Sequence, residues 1–494
     1  MLAVLANTAN GKIQGIEKGG GLQFRGIRFA TAARFAAPQP VEPWDGVLDA
    51  TAFGPIAPQN PSPLETMLGA GAMASGEDCL NLNICTPSLD GARPVMVWIH
   101  GGGFTAGAGS TPWYAGNRLA AQGDVVIVTI NYRLGAFGFL HLEDFPGAGN
   151  NGIRDQVIAL EWVRDNIAAF GGDPGNVTIF GESAGGMSVG TLLGTPSAAG
   201  LFHRAIPQSG AANNIATATD ADRITDQLLR ELGVRSGDTE QLLALDVAAI
   251  LAAQQTIGTE ALTGGNLLLP FCPVVDEVVL PQQPLDAVRA GAAANVTTII
   301  GTTADEWNLF HVLRREPGGM SDDQLQRRVA RVLPADRAQD AIDVYRTARP
   351  GADNDEVFCA IGTDLVFRIP AVLLAEAQSA QQAATHMYLL TYASSAFDGA
   401  LGACHAIDIP FVFDNVDRNG VQMLLGSVDD ETRALSTATS RAWTAFARTG
   451  SPDHDGLPAW PTYSTADRKV MELGRTRRVL DDPGAAEREL WASL

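Results

Sequence analysis

Short runs of aliphatic and β-branched residues alternate with amphipathic stretches along most of this 494-residue chain. Such runs, bounded by polar residues and glycine, are typical of buried strands, and apolar residues at helical spacing mark the stretches between them. This alternation predicts an α/β fold with a large, mainly parallel central sheet and helices on both faces. The predicted strands are Val95 to His100, Val125 to Asn131, Val177 to Phe180, Thr297 to Gly301 and Tyr388 to Tyr392, and the clearest predicted helices are Ile153 to Phe170 and Leu435 to Arg448.

Composition excludes several classes of partner. The chain has 34 basic and 55 acidic side chains, a formal charge of −21, so nucleic acid and anionic membrane surfaces would be repelled. No uninterrupted apolar run approaches the length of about 18 residues that a membrane-spanning helix needs. No secretory signal pattern is visible, and the five scattered cysteines are unlike a disulfide framework. We therefore expect a cytoplasmic protein without a membrane partner, and the oligomeric state stays open.

Domain organisation follows from what the chain lacks. It has no repeat of fixed period and no low-complexity block, and no linker rich in proline and serine divides it. The segment from Pro55 to Gly76 predicts a long surface loop. Because the informative motifs described below are scattered from residue 100 to residue 405, we predict one domain over 1–494, with loop and helical insertions around the site that those motifs form.

A serine stands at a predicted strand-to-helix turn. The sequence Gly181-Glu182-Ser183-Ala184-Gly185-Gly186 follows the strand ending at Phe180 and precedes a predicted helix over Met187 to Leu193. A G-x-S-x-G pattern in this context is typical of a nucleophilic serine, because the sharp turn exposes the hydroxyl and small neighbours relieve crowding. A bare pattern of this kind also arises by chance as a closely packed turn, so the strand and helix around it carry the prediction.

A second glycine-rich segment predicts an oxyanion hole. His100-Gly101-Gly102-Gly103-Phe104 directly follows the strand ending at Ile99. We expect the N–H groups of Gly102 and Gly103, together with that of Ala184, to bind the oxyanion of a tetrahedral intermediate. Removing one such donor typically costs roughly 10²–10³ in rate.

A serine nucleophile needs a general base, and the chain has seven histidines. His405 is favoured, because it lies in a loop after the strand ending at Tyr392, which would bring it to the carboxyl edge of the sheet. Hydrolases with a serine on such a turn have the chain order nucleophile, acid, histidine. From the residues alone, Asp305 and Glu306 after the strand ending at Gly301 both qualify as the acid.

The chain resembles the type-B carboxylesterase family of the α/β-hydrolase fold, which includes para-nitrobenzyl esterases and cholinesterases, over nearly its whole length. The matching stretches are Phe24 to Ile27, Glu77 to Asn83, Asn131 to Gly135, Asp155-Gln156, Phe170 to Pro174, Gln208-Ser209-Gly210 and Ala406 to Phe413. Several long motifs in the family's order are far more specific than any one of them.

The resemblance implies the roles of individual residues. It implies a catalytic triad of Ser183, Glu306 and His405 that cleaves carboxylic esters through an acyl-enzyme, with no metal and no cofactor. It also implies supporting roles beside the triad for Glu182 and Ser209. Two structural ion pairs of the family match Arg34 with Glu77 and Arg133 with Asp155.

At a few positions the sequence departs from the family pattern, and these positions affect which substrates the pocket would accept. No tryptophan lies between Pro55 and Gly76, where cholinesterases bind a quaternary ammonium, so choline esters are not favoured. Trp307 follows the acid where the family commonly has glycine, and we expect it to reshape the pocket. The candidate pocket residues are Phe104, Trp307, Phe310 and Phe411, each of which is also an ordinary core aromatic by composition.

Other functions remain as alternatives. Segments 398–403 and 448–461 resemble bacterial relatives that cleave aryl carbamates (urethanes), and hydrolysis of a carbamate or an amide would use the same triad. Some relatives keep the fold as non-catalytic binding proteins, but here all three triad residues are present. Gly147 to Gly152 fits a dinucleotide-binding fingerprint only weakly, because no strand directly precedes it. The favoured partner is a small-molecule ester or carbamate.

Overall fold

The computed structural model describes residues 3–62, 66, 73–264, 269–313, 319–334, 336–382 and 384–494. The surface loop predicted from Pro55 to Gly76 lies partly outside these residues.

Strands in the described part of the chain form one large sheet and one small one. Their bounds are β1 Ala3–Asn7, β2 Lys12–Lys18, β3 Gly21–Arg28, β4 Ala30–Thr31, β5 Gln39–Pro40, β6 Val47–Asp49, β7 Asn81–Thr86, β8 Arg93–Ile99, β9 Val126–Ile130, β10 Gly172–Glu182, β11 Arg204–Gln208, β12 Thr297–Thr303, β13 Thr385–Leu390, β14 Lys469–Leu473 and β15 Arg477–Asp481. The large sheet has the order β1-β2-β3-β7-β9-β8-β10-β11-β12-β13-β14-β15, with β6 beside β2, and β4 pairs with β5.

The centre of the large sheet is parallel. From β9 through β8, β10, β11, β12 and β13 to β14, every neighbouring pair runs in the same direction. On β8, Val95 and Val97 join the core on one face, whereas Met96 and Trp98 join the core on the other face. Side chains alternate along a strand, so a strand that is apolar at every position is covered on both sides. The predicted, mainly parallel sheet is confirmed.

Helices cover both faces of this sheet. The α-helices are α1 Asn117–Gly123, α2 Gly135–Phe139, α3 Asn151–Asn166, α4 Ala184–Leu193, α5 Ala218–Leu232, α6 Thr239–Leu243, α7 Val247–Gly264, α8 Pro284–Arg289, α9 Trp307–Val312, α10 Asp322–Val329, α11 Ala338–Ala348, α12 Asn354–Thr363, α13 Ile369–Ser379, α14 Ile409–Val412, α15 Gln422–Leu425, α16 Asp430–Thr449 and α17 Ala485–Ala492. Short 3₁₀ turns lie at Pro112–Tyr114, Ala148–Asn150, Ile167–Phe170, Pro196–Ala198 and Ala396–Gly399.

The ends of α16 show why this helix forms where the sequence predicts it. Asp429 accepts a hydrogen bond from the N–H of Thr432 and so satisfies one free donor of the first turn. At the other end, Gly450 takes a left-handed conformation, with φ 83°, that stops the helix. The second predicted helix, Ile153 to Phe170, is observed as α3 continued by the 3₁₀ turn Ile167–Phe170.

Antiparallel strands at both ends of the sheet were not predicted. The hairpin of β2 and β3 turns through Gly19 and Gly20, both with positive φ, and Lys18 pairs with Gly21. A two-residue Gly-Gly loop of this kind is a hairpin signal that was available in the sequence. The strands themselves are partly exposed and polar, with β1 and β2 buried at only some positions, so no continuous apolar run marks them.

A π-helical turn, Asp364–Arg368, joins α12 and α13 into one apolar helix of 26 residues from Asn354 to Ser379. By length and composition alone this helix could cross a membrane, although no uninterrupted apolar run marks it in the sequence. More than half of the most apolar 18-residue stretch of this helix is buried in the fold, and α13 packs against β12 and β13.

The parallel strands bring the predicted site residues to one edge. Gly102 follows β8, Ser183 follows β10 and Glu306 follows β12, each within three residues of the carboxyl end of its strand. His405 lies in the segment between β13 and α14. Sites in open α/β sheets form at this edge, because the strands end there and the connecting loops are free to vary.

Candidate active site

Ser183 occupies a sharp turn between β10 and α4. Its backbone angles are φ 58° and ψ −125°, which are rare for a residue with a side chain. The N–H of Ser183 donates to the carbonyl of Gln208 at 3.0 Å, which holds the turn against β11. A Cβ on Gly185 would lie 2.0 Å from the carbonyl oxygen of Ile99, so the small residues of the motif are needed for close packing.

Three backbone N–H groups beside Ser183 are available as donors. Gly102 and Gly103 have φ values of 108° and 61°, and the loop passes so close that a Cβ on Gly101 would lie 3.1 Å from Cβ of Ser183. Within the described ranges, the N–H groups of Gly102, Gly103 and Ala184 donate no hydrogen bond. This placement suits the predicted oxyanion hole.

Glu306 holds the imidazole of His405. The Oε2 atom of Glu306 lies 2.6 Å from Nδ1 of His405, and its Oε1 accepts the N–H of Thr303 at 2.7 Å. The Glu306 carboxylate is fully buried, and its two contacts fix its orientation. A carboxylate that accepts from Nδ1–H leaves Nε2 as the basic atom of a neutral imidazole. The structure therefore brings together two of the three predicted triad residues through a direct contact.

Nε2 of His405 faces Glu182, the residue before the serine. It lies 3.1 Å from Oε1 of Glu182, a distance that suits an ion pair, although this oxygen has no hydrogen-bond partner with suitable angles in the described part of the protein. Among the same residues Ser183 and His405 share no hydrogen bond. The Glu306–His405 pair is thus observed, and the contact of His405 with Ser183 stays a prediction.

Three buried carboxylates, those of Glu182, Glu306 and Asp408, surround this one imidazole; we call them the acidic cluster. Burial raises the pKa of Glu182 and, with the nearby charge of Glu306, raises the pKa of Asp408 to about 6. Burial alone would lower the pKa of His405, but the charge of Glu182 and the hydrogen bond to Glu306 outweigh it and raise that pKa. Protonation of His405 is therefore coupled to Glu182.

Aromatic rings cover one side of His405. The rings of Phe310 and Phe367 have centroids 5.1 Å and 4.7 Å from that of the imidazole, and Trp307 packs 5.1 Å from Phe310. We call Trp307, Phe310 and Phe367 the aromatic wall. Phe367 is buried, whereas Trp307 and Phe310 are half-buried and present ring surface. Gly362 makes room for the indole, because a Cβ there would lie 2.7 Å from its Cγ.

The other two candidate pocket residues lie in the core. Phe104 and Phe411 are both 0% exposed. Phe104 packs on Phe139 at 5.0 Å, and Phe411 packs on Tyr392 at 4.9 Å. The structure thus places both rings as core aromatics, the alternative that the sequence left open, and neither offers surface to a bound molecule.

The supporting role of Ser209 stays a prediction, because its side chain makes no hydrogen bond toward the triad among the described residues. Ser209 is fully buried, its N–H donates to the carbonyl of Gly301 at 2.9 Å, and its Oγ has no hydrogen-bond partner among the described residues. Its neighbour Gln208 instead donates to Asp408 at 2.8 Å. Sequence reasoning missed Gln208, Asp408 and Phe367 as site residues. The first two lie within stretches that match the family, but nothing in the sequence ranks one buried polar residue above another.

The described residues give little support for a metal site or for a dinucleotide-binding site. Across the part of the chain that the structure describes, no group of three or more His, Cys, Asp or Glu side chains is arranged to hold a metal ion. Gly147 to Gly152, the weak dinucleotide fingerprint, covers a 3₁₀ turn and the start of α3 and has no strand directly before it. A dinucleotide site needs that strand, because its end aims the glycine turn at the pyrophosphate.

Comparisons with known proteins find relatives along almost the whole chain. The profile described as "Carboxylesterase family" matches residues 3–491. Para-nitrobenzyl esterase of Bacillus subtilis (strain 168) is 39% identical, with 98% of each chain covered, and phenmedipham hydrolase of Pseudarthrobacter oxydans is 37% identical, with 95% of each covered. The crystal structure of the Geobacillus stearothermophilus carboxylesterase EST55 at pH 6.2 has a TM-score of 0.89 at 40% identity and covers 99% of each chain.

Proposed function

Because the chain belongs to the carboxylesterase family, has the α/β-hydrolase fold and is a carboxylic ester hydrolase, we propose that its catalytic triad is Ser183, Glu306 and His405. The observation that carries the proposal is the 2.6 Å contact between Glu306 and Nδ1 of His405. This contact turns Nε2 toward the segment that holds Ser183 at the strand-to-helix turn.

The reaction proceeds in two halves. Nε2 of His405 removes the hydroxyl proton of Ser183 while Oγ attacks the carbonyl carbon, and the N–H groups of Gly102, Gly103 and Ala184 bind the resulting oxyanion. The intermediate collapses to an acyl-enzyme as His405 gives its proton to the leaving alcohol. His405 then activates a water molecule, which releases the acid and restores the serine.

The position of Nε2 beside Glu182 fits this sequence of steps. Glu182 directly precedes Ser183, so the atom that Nε2 faces belongs to the residue next to the proposed nucleophile. Catalytic hydrogen bonds are often loose before substrate binds and tighten in the complex. The charge of Glu182 favours the imidazolium that forms when the serine loses its proton.

The aromatic wall is proposed to line the leaving-group side of the pocket. The leaving alcohol takes its proton from Nε2 of His405, so it has to lie beside the rings that contact the imidazole. Aromatic groups prefer such surfaces by about 0.5–1.5 kcal/mol beyond the area they bury. We therefore expect esters of aromatic alcohols as preferred substrates, as the name of the para-nitrobenzyl relative suggests.

Hydrolysis of an aryl carbamate or an amide is a second candidate. It would use the same nucleophile, base and oxyanion donors, and one relative is named for the hydrolysis of phenmedipham. The two reactions differ in the leaving group, because an amine has to be protonated more fully than an alcohol before it departs. His405 would supply that proton in both cases.

The test of the triad compares wild type with Ser183→Ala on para-nitrophenyl esters of increasing acyl length and on one aryl carbamate. We expect the variant to lose at least about 10⁴-fold in kcat. Ser188→Ala serves as a control, because Ser188 lies on α4, the helix that follows Ser183, and its hydroxyl accepts a hydrogen bond from Gln156. A Ser183→Ala enzyme that keeps near wild-type rates contradicts the proposal, and a carbamate rate close to the ester rates favours the second candidate.

The role of the aromatic wall is tested by the ratio of kcat/KM for two substrates that differ only in the leaving alcohol. Benzyl acetate and cyclohexylmethyl acetate have leaving alcohols of similar size, only one of which is aromatic. We expect the benzyl preference in kcat/KM to fall by about 2–10-fold in Trp307→Leu. Trp491→Leu is the matched control, because Trp491 lies on α17 and donates to Tyr345, which is not part of the aromatic wall. An unchanged ratio in Trp307→Leu contradicts the assignment.

A further inference from the structure

The nucleophile and the base come from distant parts of the chain, and the backbone near both is strained. Ser183, Ser209 and Ala406 all have left-handed φ values, 58°, 46° and 65°, although none is glycine. Such conformations are unfavourable for residues with a side chain and persist only where the surrounding structure holds them in place. Reactive groups also have to be held within about 0.5 Å of their working positions. A contact between the segments of Ser183 and His405 would hold both groups at their working distance.

Gln208 contacts both of these segments. It is the last residue of β11 and is fully buried. Its carbonyl accepts the N–H of Ser183 at 3.0 Å. Its side-chain Nε2 donates to Oδ2 of Asp408 at 2.8 Å, three residues after His405. One residue thus ties the turn of the nucleophile to the loop of the base.

The orientation of the Gln208 amide is fixed by its second partner. Nε1 of Trp443, on α16, lies 3.0 Å from Oε1 of Gln208. An indole N–H can only donate, so the amide has to present its oxygen to Trp443 and its NH₂ group to Asp408. The hydroxyl of Tyr388 donates to the same Asp408 oxygen at 3.0 Å, whereas Oδ1 of Asp408 has no partner within the described residues.

We propose that Gln208 is a positioning residue that sets the distance between Ser183 and His405 through its hydrogen bond to Asp408. The inference rests on the proposed function of Ser183 and His405. Gln208 itself touches neither substrate nor the reacting atoms. Because a misplacement of about 1 Å can cost roughly 10²-fold in rate, loss of this contact should slow the chemical steps more than it weakens substrate binding.

A buried glutamine also stabilises a fold by its hydrogen bonds alone, and the chain offers a matched control for that role. Gln378 on α13 is equally buried, and its Nε2 donates to the carbonyls of Ala293 and Val296 at 2.8 Å and 2.7 Å. These contacts join α13 to the segment before β12 and touch neither catalytic loop. Gln378→Met therefore removes comparable hydrogen bonds without affecting the distance between Ser183 and His405.

The experiment compares wild type, Gln208→Met, Gln378→Met, Asp408→Ala and the double variant Gln208→Met/Asp408→Ala. For each, kcat and KM are measured on para-nitrophenyl butyrate, thermal unfolding is recorded, and covalent labelling by an organophosphate is followed to completion. We expect Gln208→Met to lose about 10–100-fold in kcat, with KM within about twofold of wild type, while Gln378→Met loses only stability. Labelling should stay stoichiometric but become slower in Gln208→Met.

The double variant tests whether Gln208 acts through Asp408. If it does, the double variant loses no more kcat than the worse single variant, because each single change already removes the contact between Gln208 and Asp408. Fully multiplied losses, or equal kcat in Gln208→Met and Gln378→Met, overturn the inference. Should Gln208→Met fail to fold, Gln208→Leu, which also lacks the donor and brings no new charge next to Asp408, takes its place with the same expectation. Absence of labelling in wild type would instead contradict the proposed function itself.

Discussion

Two buried charge groups in this protein are built in opposite ways. The pair of Arg133 and Asp155 is complete: two parallel hydrogen bonds of 2.8 Å and 2.7 Å join them, and the carboxylate also accepts the N–H of Arg133. The acidic cluster around His405 is incomplete, with three carboxylates for one imidazole and with Oε1 of Glu182 and Oδ1 of Asp408 lacking hydrogen bonds in the described part of the chain. Both groups are almost fully removed from water.

The difference follows from the chemistry of the cations. An arginine stays charged at every ordinary pH, and its planar group matches a carboxylate at two points, so its pair has one stable state. A histidine changes charge near neutral pH, and unpaired oxygens nearby leave room for protons to move. Complete pairing therefore serves the fold, whereas incomplete pairing leaves a site whose protonation can change during a reaction.

Among the charged residues of these two groups, the carboxylate that orients His405 should be the most costly to change, although Glu306→Gln should retain more activity than Ser183→Ala. Glu306→Gln removes the negative charge that fixes Nδ1–H, so the imidazole loses its orientation and its stabilised cationic form. We expect kcat to fall by about 10⁴-fold, with a melting temperature close to that of wild type. Steady-state kinetics and calorimetry measure the two quantities. A loss below tenfold would show that another carboxylate orients His405, and Glu182 and Asp408 are then the candidates.

The opposite result is expected for the complete pair. Asp155→Ala leaves the guanidinium of Arg133 buried, 5% exposed, without its counter-charge. Breaking a buried pair from one side typically lowers the free energy of unfolding by about 3–5 kcal/mol. Chemical denaturation measures this loss, and the enzyme that remains folded should keep wild-type kcat. If Asp155→Ala instead lowers kcat at unchanged stability, Asp155 serves catalysis, and the assignment of the Arg133–Asp155 pair to the fold alone is wrong.

Glu182→Gln tests the incomplete pairing through pH dependence. The negative charge of Glu182 raises the pKa of His405, so its removal should lower that pKa. The base is active when it is neutral, and the acidic limb of kcat/KM should therefore move to lower pH by about one unit. Glu306 and Asp408 also face His405 and stay in place, so the limb should shift without disappearing. An unmoved limb would show that Glu182 carries no charge in the working enzyme.

Much of the fold could be predicted because its centre is strongly apolar. The five predicted strands correspond to β8, β9, β10, β12 and β13, although β10 extends from Gly172 to Glu182 where only Val177 to Phe180 was predicted. Apolar runs mark the buried middle of a strand, and its polar ends leave no such mark. The edge strands pair through main-chain hydrogen bonds and are only partly buried, so their side chains carry little pattern.

The site could be predicted where chemistry and chain order restrict the choice. Glu306 and His405 were selected by order and by family resemblance, and the structure brings them into contact. Gln208 and Phe367 act through contacts across the fold, and a sequence does not contain distances. Phe367 lies in the π-helical turn that joins α12 and α13, a local irregularity that a regular helical pattern hides.

An exposed ion pair on α3 separates the contribution of burial from that of geometry. Arg164 and Asp165 form the same two-point contact as Arg133 and Asp155, at 2.7 Å and 3.0 Å, and Arg164 lies on α3, the helix that carries Asp155. Their side chains are 51% and 53% exposed. Water already solvates both charges and salt screens them, so Arg164→Ala should lower the free energy of unfolding by less than about 1 kcal/mol. A loss as large as that of Asp155→Ala would mean that geometry, and not burial, determines what an ion pair contributes in this protein.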